Sequence, residues 1–261
     1  MTPTKRITSR DNAFFKTLHK LASSTRTRRE VGQTLLDGPH LLRAYLDAGH
    51  QPLHLLLNEH AIQDAEINAL LETCNGVPQT QLDDVLFAQL SELKTPNGLL
   101  AVIPVPQPTL SPSHCQFALL LEDIQDPGNL GSILRSAAAA GCDAVFLSQG
   151  CADVWSPKVL RAAMGGHFVL QIFKDCELLG IARDFTGKIL ATSLFADKSL
   201  YQCNLRGKLA FAIGNEGAGL SQAMLGVAQE SFIIPMSGKV ESLNAAAAAA
   251  ICVFEAVRQR A

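Results

Sequence analysis

Short, uninterrupted apolar runs alternate with longer stretches of helical period along most of this chain. In the C-terminal half the runs are FALLL (117–121), AVFLS (144–148), FVLQIF (168–173), KILATS (188–193), LAFAIG (209–214) and SFIIP (231–235). Each is followed by a loop and a helical pattern. Runs of this length predict strands buried on both faces, and their alternation with helices predicts a parallel sheet covered on either side. The N-terminal part repeats the theme on a smaller scale. There TLLDG is followed by PHLLRAYLDAG, a helix starting at Pro39 and ending at Gly49, then by LHLLL and HAIQDAEINALLE. The alanines at 245–250 predict the start of a closely packed helix.

Residues 99–115, LLAVIPVPQPTLSPSHC, interrupt this rhythm with Pro104, Pro106, Pro108 and Pro112. Proline fixes the backbone and removes a donor, so the segment reads as an extended connector. The expected organisation is a small α/β domain over 1–105, a proline-rich linker over 106–114 and a larger α/β domain over 115–261. With 261 residues, 48% of them hydrophobic, both halves have enough apolar material for a core.

Charge changes the picture at one end. The net charge is only −2, but residues 1–43 carry nine Lys or Arg against three acids, leaving −8 for the rest of the chain. The arginine-rich stretch SSTRTRRE is expected on the first helix. A cluster of this kind suits either a solvated helix face or a polyanion, whose counterions are released as each phosphate is neutralised. The seven cysteines are scattered without a C-x-x-C pair, which argues against a disulfide framework or a zinc site. No apolar run is long enough to span a bilayer, and the first segment lacks the apolar core of a signal peptide. A cytoplasmic, membrane-free protein is the expectation.

In an open parallel sheet ligands bind beyond the carboxyl ends of the strands, and three loops there are unusual. The first, EDIQDPGNLGSILRSAAAAG, places Asn129 in a tight turn and Arg135 among small residues, where a guanidinium needs an anionic or carbonyl partner. The second, GNEGAGLSQ, spaces its glycines as G-x-x-G-x-G. That is neither the dinucleotide fingerprint of a nicotinamide-dependent oxidoreductase nor a P-loop, and Glu216 in its middle disfavours phosphate. The third, after SFIIP, carries Ser242 and Asn244, either of which suits the cap of the alanine-rich helix.

Taken together, D-P-G-N-x-G-x-x-x-R at 126–135, G-N-E-G-x-G-L-S at 214–221 and I-P-M-x-G-x-V-x-S-L-N at 234–244 resemble the three motifs of the SpoU (TrmH-like) methyltransferases of the SPOUT superfamily. The resemblance spans residues 117–260. It implies a SPOUT parallel-sheet domain with a deep C-terminal trefoil knot, a homodimer with the active site shared across its interface, and S-adenosylmethionine as cofactor. By the same resemblance Gly214, Asn215, Ile234, Met236 and Leu243, with Ser193 at the end of KILATS, hold the cofactor, and Asn129, Arg135, Glu216, Ser242 and Asn244 form the catalytic group. Members often read S-L-N-V-S where this chain has Ala245 and Ala246 after Asn244, so a helix-start hydroxyl is missing.

The implied activity is methyl transfer to a ribose 2′-hydroxyl of RNA. The N-terminal part resembles the L30e-like substrate-binding domain of many SpoU members, which favours ribosomal over transfer RNA and turns Arg10, Arg26, Arg28 and Arg29 into candidate phosphate contacts. A catalytically silent RNA-binding protein of the same fold is the alternative, and retention of Arg135, Glu216 and Asn244 argues against it.

Overall fold

A computed structural model describes residues 5–238 and 241–261. The chain divides into two compact units, residues up to Pro106 with Trp155–Phe168, and Gln107–Val154 with Val169–Ala261. The first unit thus takes in a segment, Trp155–Phe168, that lies within the larger domain expected from sequence.

The first unit opens with β1 (Lys5–Ile7), α1 (Ala13–Ser23), α2 (Thr25–Val31), β2 (Gln33–Asp37), α3 (Pro39–Asp47) and β3 (His54–Leu57). It continues through α4 (Ala65–Thr73), β4 (Gln79–Leu82), α5 (Asp84–Ala88) and β5 (Leu99–Pro104). The sheet order is β1-β4-β3-β5-β2, with β5 antiparallel to both β3 and β2. Residues 99–104 are therefore not a connector. Leu99 to Ile103 are all buried, and Pro104 ends the strand at its exposed tip, where its missing donor costs nothing to the ladder. The arginine-rich stretch lies on the second helix, not the first, because Ser24 closes α1 and caps α2 by accepting from the Thr27 amide at 3.2 Å. Phe15, Leu18 and Leu21 of α1 pack in one core with Leu35, Leu56 and Leu100 from the sheet.

The second unit runs β6 (Phe117–Leu121), α6 (Pro127–Ala139) and β7 (Ala144–Ser148). After α7 (Pro157–Ala163), which falls in the first unit, come β8 (Gln171–Cys176), α8 (Leu178–Asp184), β9 (Lys188–Thr192), β10 (Leu209–Ile213), α9 (Gln222–Val227), β11 (Glu230–Phe232) and α10 (Ala245–Arg260). The six strands form an entirely parallel sheet in the order β11-β9-β10-β6-β7-β8. Every residue of β6 and β10 is buried, as expected of central strands covered on both faces. Helices α8 and α9 pack together, and α6 packs on α10. From β6 the chain steps outward through β7 and β8, then returns to the other side of β6 for β9 and β10. The strand order thus reverses between β6 and β10.

Candidate functional site

The loops leaving β9, β10 and β11 enclose a cavity of about 330 Å³. All six residues expected to hold the cofactor line it: Ser193, Gly214, Asn215, Ile234, Met236 and Leu243. Glu216 and Ser242 line it too, whereas Asn129, Arg135 and Asn244 do not. Apolar walls with a few polar groups, at this volume, suit a small organic ligand.

The backbone of the second loop needs its glycines. A Cβ on Gly214 would overlap the Gly219 carbonyl and the Leu220 amide, because the loop folds back to pair Asn215 with Gly219. Gly219 itself has φ +68°, which glycine adopts without strain. The Asn215 side chain holds the turn closed, its Oδ1 accepting from the amides of Gly217 (2.8 Å) and Ala218 (3.2 Å). Its Nδ2 donates to the Asp123 carbonyl at 3.0 Å, and the Glu122 carboxylate accepts from the amide and hydroxyl of Ser221. The first two loops are thus laced together.

Asn129 and Asn244, with Glu216, join the three loops. Asn129 sits in the first turn of α6, where Asp126 caps the helix by accepting from the Asn129 amide at 2.7 Å. The Asn129 side chain donates to Glu216 and accepts from Asn244 Nδ2. Asn244 Oδ1 in turn accepts from the amides of Ala246 and Ala247, so one side chain both caps α10 and reaches the cluster. Lys239 and Val240, within the third motif, lie outside the described residues. Arg135 is set apart. It is exposed on α6, and its side chain makes no hydrogen bond or ion pair among the described residues.

The segment after β9 is pinned at both ends. Ser193 donates its amide to the Phe232 carbonyl at 2.9 Å, and Ile233 donates to Lys198 while Leu200 donates to Ile233. Glu230 binds the ammonium groups of Lys198 and Lys188. The hydrogen bond from Lys198 holds the Glu230 carboxyl below the usual range, with Lys188 acting in the same sense. Sequence reasoning missed Thr192, Phe195 and Leu220 in the cavity wall, and the lacing by Glu122, Asp123 and Ser221. Residues 122 and 221 are 99 apart, and no local pattern relates them.

Of the four arginines expected at RNA phosphates, Arg10, Arg26 and Arg29 are exposed, and Arg26 pairs with Glu30 on its own helix. Arg28 corrects the expectation. It is 4% exposed, and its guanidinium donates to the carbonyls of Leu21 (2.6 Å) and Ala22 (3.0 Å) and to the Thr25 hydroxyl. Those carbonyls belong to the last turn of α1 and lack helical partners, so Arg28 is spent on closing that helix. Among the described residues no His, Cys, Asp and Glu group suited to a metal ion occurs, and no helix is long and apolar enough to cross a membrane.

Comparison with known proteins agrees with this geometry. Residues 116–254 match the SpoU rRNA methylase family, and residues 12–101 match the MRM3-like substrate-binding domain. An uncharacterized tRNA/rRNA methyltransferase of Synechocystis is 33% identical over 97% of this chain and 94% of its own length. The 23S rRNA (guanosine(2553)-2′-O)-methyltransferase of Bacillus subtilis is 31% identical over 96% of this chain and 98% of its own. The crystal structure of the SpoU methyltransferase AviRb from Streptomyces viridochromogenes in complex with AdoMet superposes with a TM-score of 0.84 at 28% identity, over 95% of this chain and 98% of that one. Motifs, sheet topology and full-length similarity converge: this chain belongs to the SpoU rRNA methylase family.

Proposed function

We propose that this chain transfers a methyl group from S-adenosylmethionine to a ribose 2′-hydroxyl of ribosomal RNA. The observation that carries the reading is the cavity after β9, β10 and β11, whose wall includes Glu216, itself bonded into the Asn129–Asn244 cluster. The match of 12–101 to a substrate-binding domain and the ribosomal RNA named for the Bacillus relative favour ribosomal over transfer RNA.

The cradle at Gly214, too tight for a Cβ, fits a cofactor held against bare backbone. In this reading Gly214, Asn215, Ile234, Met236 and Leu243, with Ser193, hold S-adenosylmethionine, which supplies an electrophilic methyl on a sulfonium. Glu216 and Ser242 stand at the cavity wall to orient the ribose, while Asn129 and Asn244 fix the Glu216 carboxylate. Arg135 grips the target phosphate and stabilises charge developing on the ribose oxygen. A guanidinium is a donor without an acceptor, so removal of the hydroxyl proton is not assigned to it.

Arg135 is exposed and does not line the cavity of its own chain. This supports a homodimer in which a second copy brings its arginine to the site. The exposed Phe254 on α10, which packs on the arginine-bearing α6, offers apolar surface for that contact. A trefoil knot through the cofactor loops and a cytoplasmic location belong to the same reading. The first unit serves as the RNA-binding part, with Arg10, Arg26 and Arg29 as phosphate contacts. Arg28 is left out.

The test is methyl transfer from labelled S-adenosylmethionine to total RNA from cells lacking this gene, separated by size. Label in the large ribosomal species supports the proposal. Label confined to the small fraction moves the substrate to transfer RNA, and no label in any fraction refutes an active methyltransferase.

A further inference from the structure

Phe195 is 95% exposed, the largest exposure among the large apolar side chains described, and yet it lines the candidate cofactor cavity. A lone exposed phenyl ring is ordinary on a protein surface, but one on the wall of a ligand cavity is placed to meet what enters there. The backbone beneath it is fixed. Phe195 donates its amide to the Ser193 hydroxyl at 3.2 Å, in a segment pinned to β11 and Ile233 at either end. The backbone that carries the ring is therefore braced beside the cavity.

The ring is at once part of the cavity wall and open to solvent, so it is within reach of a molecule that arrives after the cavity is filled. The second substrate is what must approach this edge, and methylation of a ribose inside a folded RNA requires an unstacked nucleotide to reach it. Unstacked bases are received on aromatic faces, an interaction that tolerates any base because each has a π-face. We infer that Phe195 is a positioning residue that stacks an RNA base at the mouth of the cavity, beside the ribose to be methylated. This rests on the methyl-transfer reading.

The experiment compares wild type with Phe195→Ala, Phe195→Leu and Phe195→Trp. For each, calorimetry measures S-adenosylmethionine binding without RNA, filter binding measures affinity for large-subunit ribosomal RNA from cells lacking the gene, and light scattering gives the mass in solution. Steady-state transfer gives KM for RNA and kcat. The expected result is unchanged cofactor affinity and mass, with RNA affinity and KM worsened by roughly five- to a hundredfold in the Ala and Leu variants. The Trp variant should stay near wild type. Parallel loss of cofactor affinity would make Phe195 a cofactor cover, loss of the wild-type mass would make it a contact between copies, and equal RNA affinity in all four proteins would leave it no role. Each overturns the inference. RNA that binds wild type without being methylated would instead count against the catalytic reading, because the binding comparison stands apart from turnover.

Discussion

Asn244 donates its side-chain N–H to the carboxamide oxygen of Asn129 at 2.8 Å, across 115 residues of chain. The other end of Asn129 donates to Glu216, so side chains from three separate loops form one chain of hydrogen bonds. Each member constrains the next, and the last one stands in the cavity wall. The network adds the third loop to the first two, which the Asn215–Asp123 and Glu122–Ser221 bonds already join, and its worth exceeds that of any single pair.

Asn244 has two tasks that mutation can separate. In Asn244→Ala both the cap of α10 and the bond to Asn129 disappear, and the expected loss of stability is about 0.5–2 kcal/mol, together with loss of transfer. Asn244→Asp keeps the acceptor that caps the helix but removes the donor. It should melt near wild type while transfer falls by about tenfold to a hundredfold. Thermal unfolding beside methyl-transfer rates checks both.

Gly214→Ala should weaken S-adenosylmethionine binding by roughly five- to a hundredfold, since its Cβ would force the Gly219–Leu220 backbone away. Gly226 is the matched control. A Cβ there meets nothing within 4 Å, so Gly226→Ala should leave cofactor affinity unchanged in calorimetry.

The basic segment divides into structural and exposed arginines. Arg28→Ala strands the carbonyls of Leu21 and Ala22 and should lower stability by about 1–3 kcal/mol in chemical denaturation. Arg10→Ala should unfold like wild type, yet weaken RNA binding and shallow its dependence on salt.

Glu255 gives a pH signature. The hydrogen bond from Arg258, aided by Gln259, lowers its carboxyl from 4.5 to about 2. A depressed carboxyl contributes stability above its unfolded value, lost as pH falls through the folded one. The melting temperature of Glu255→Gln should therefore lie below wild type at pH 7, with the gap closing between pH 4.5 and about 2. A gap that stays constant through that window would contradict the assignment.

The sheet of the second unit was legible because its central strands are apolar without interruption, as FALLL and LAFAIG show. Less visible were β1 and β4. KRI and QTQL carry polar residues, and a three- or four-residue strand leaves too short a period to read. The prolines after residue 103 concealed β5, although LLAVI before them is an apolar run like the others. At the site, glycine spacing and the paired Ser242 and Asn244 marked the loops from sequence. Asn244 is both cap and cluster member, because its Oδ1 caps α10 while its Nδ2 donates to Asn129, and sequence alone does not assign the two atoms. The burial of Arg28 was hidden among identical neighbours, because only the turn between α1 and α2 decides which arginine faces inward.

The central claim is ribose methylation that depends on Arg135, and mapping the label tests it most directly. Ribosomal RNA methylated by wild type would be hydrolysed in alkali and its resistant linkage located, with Arg135→Ala run alongside and its cofactor affinity confirmed. We expect label retained at one alkali-resistant linkage with wild type and lost with the variant. Label on a base, with every linkage cleaved by alkali, or undiminished labelling by Arg135→Ala would contradict it.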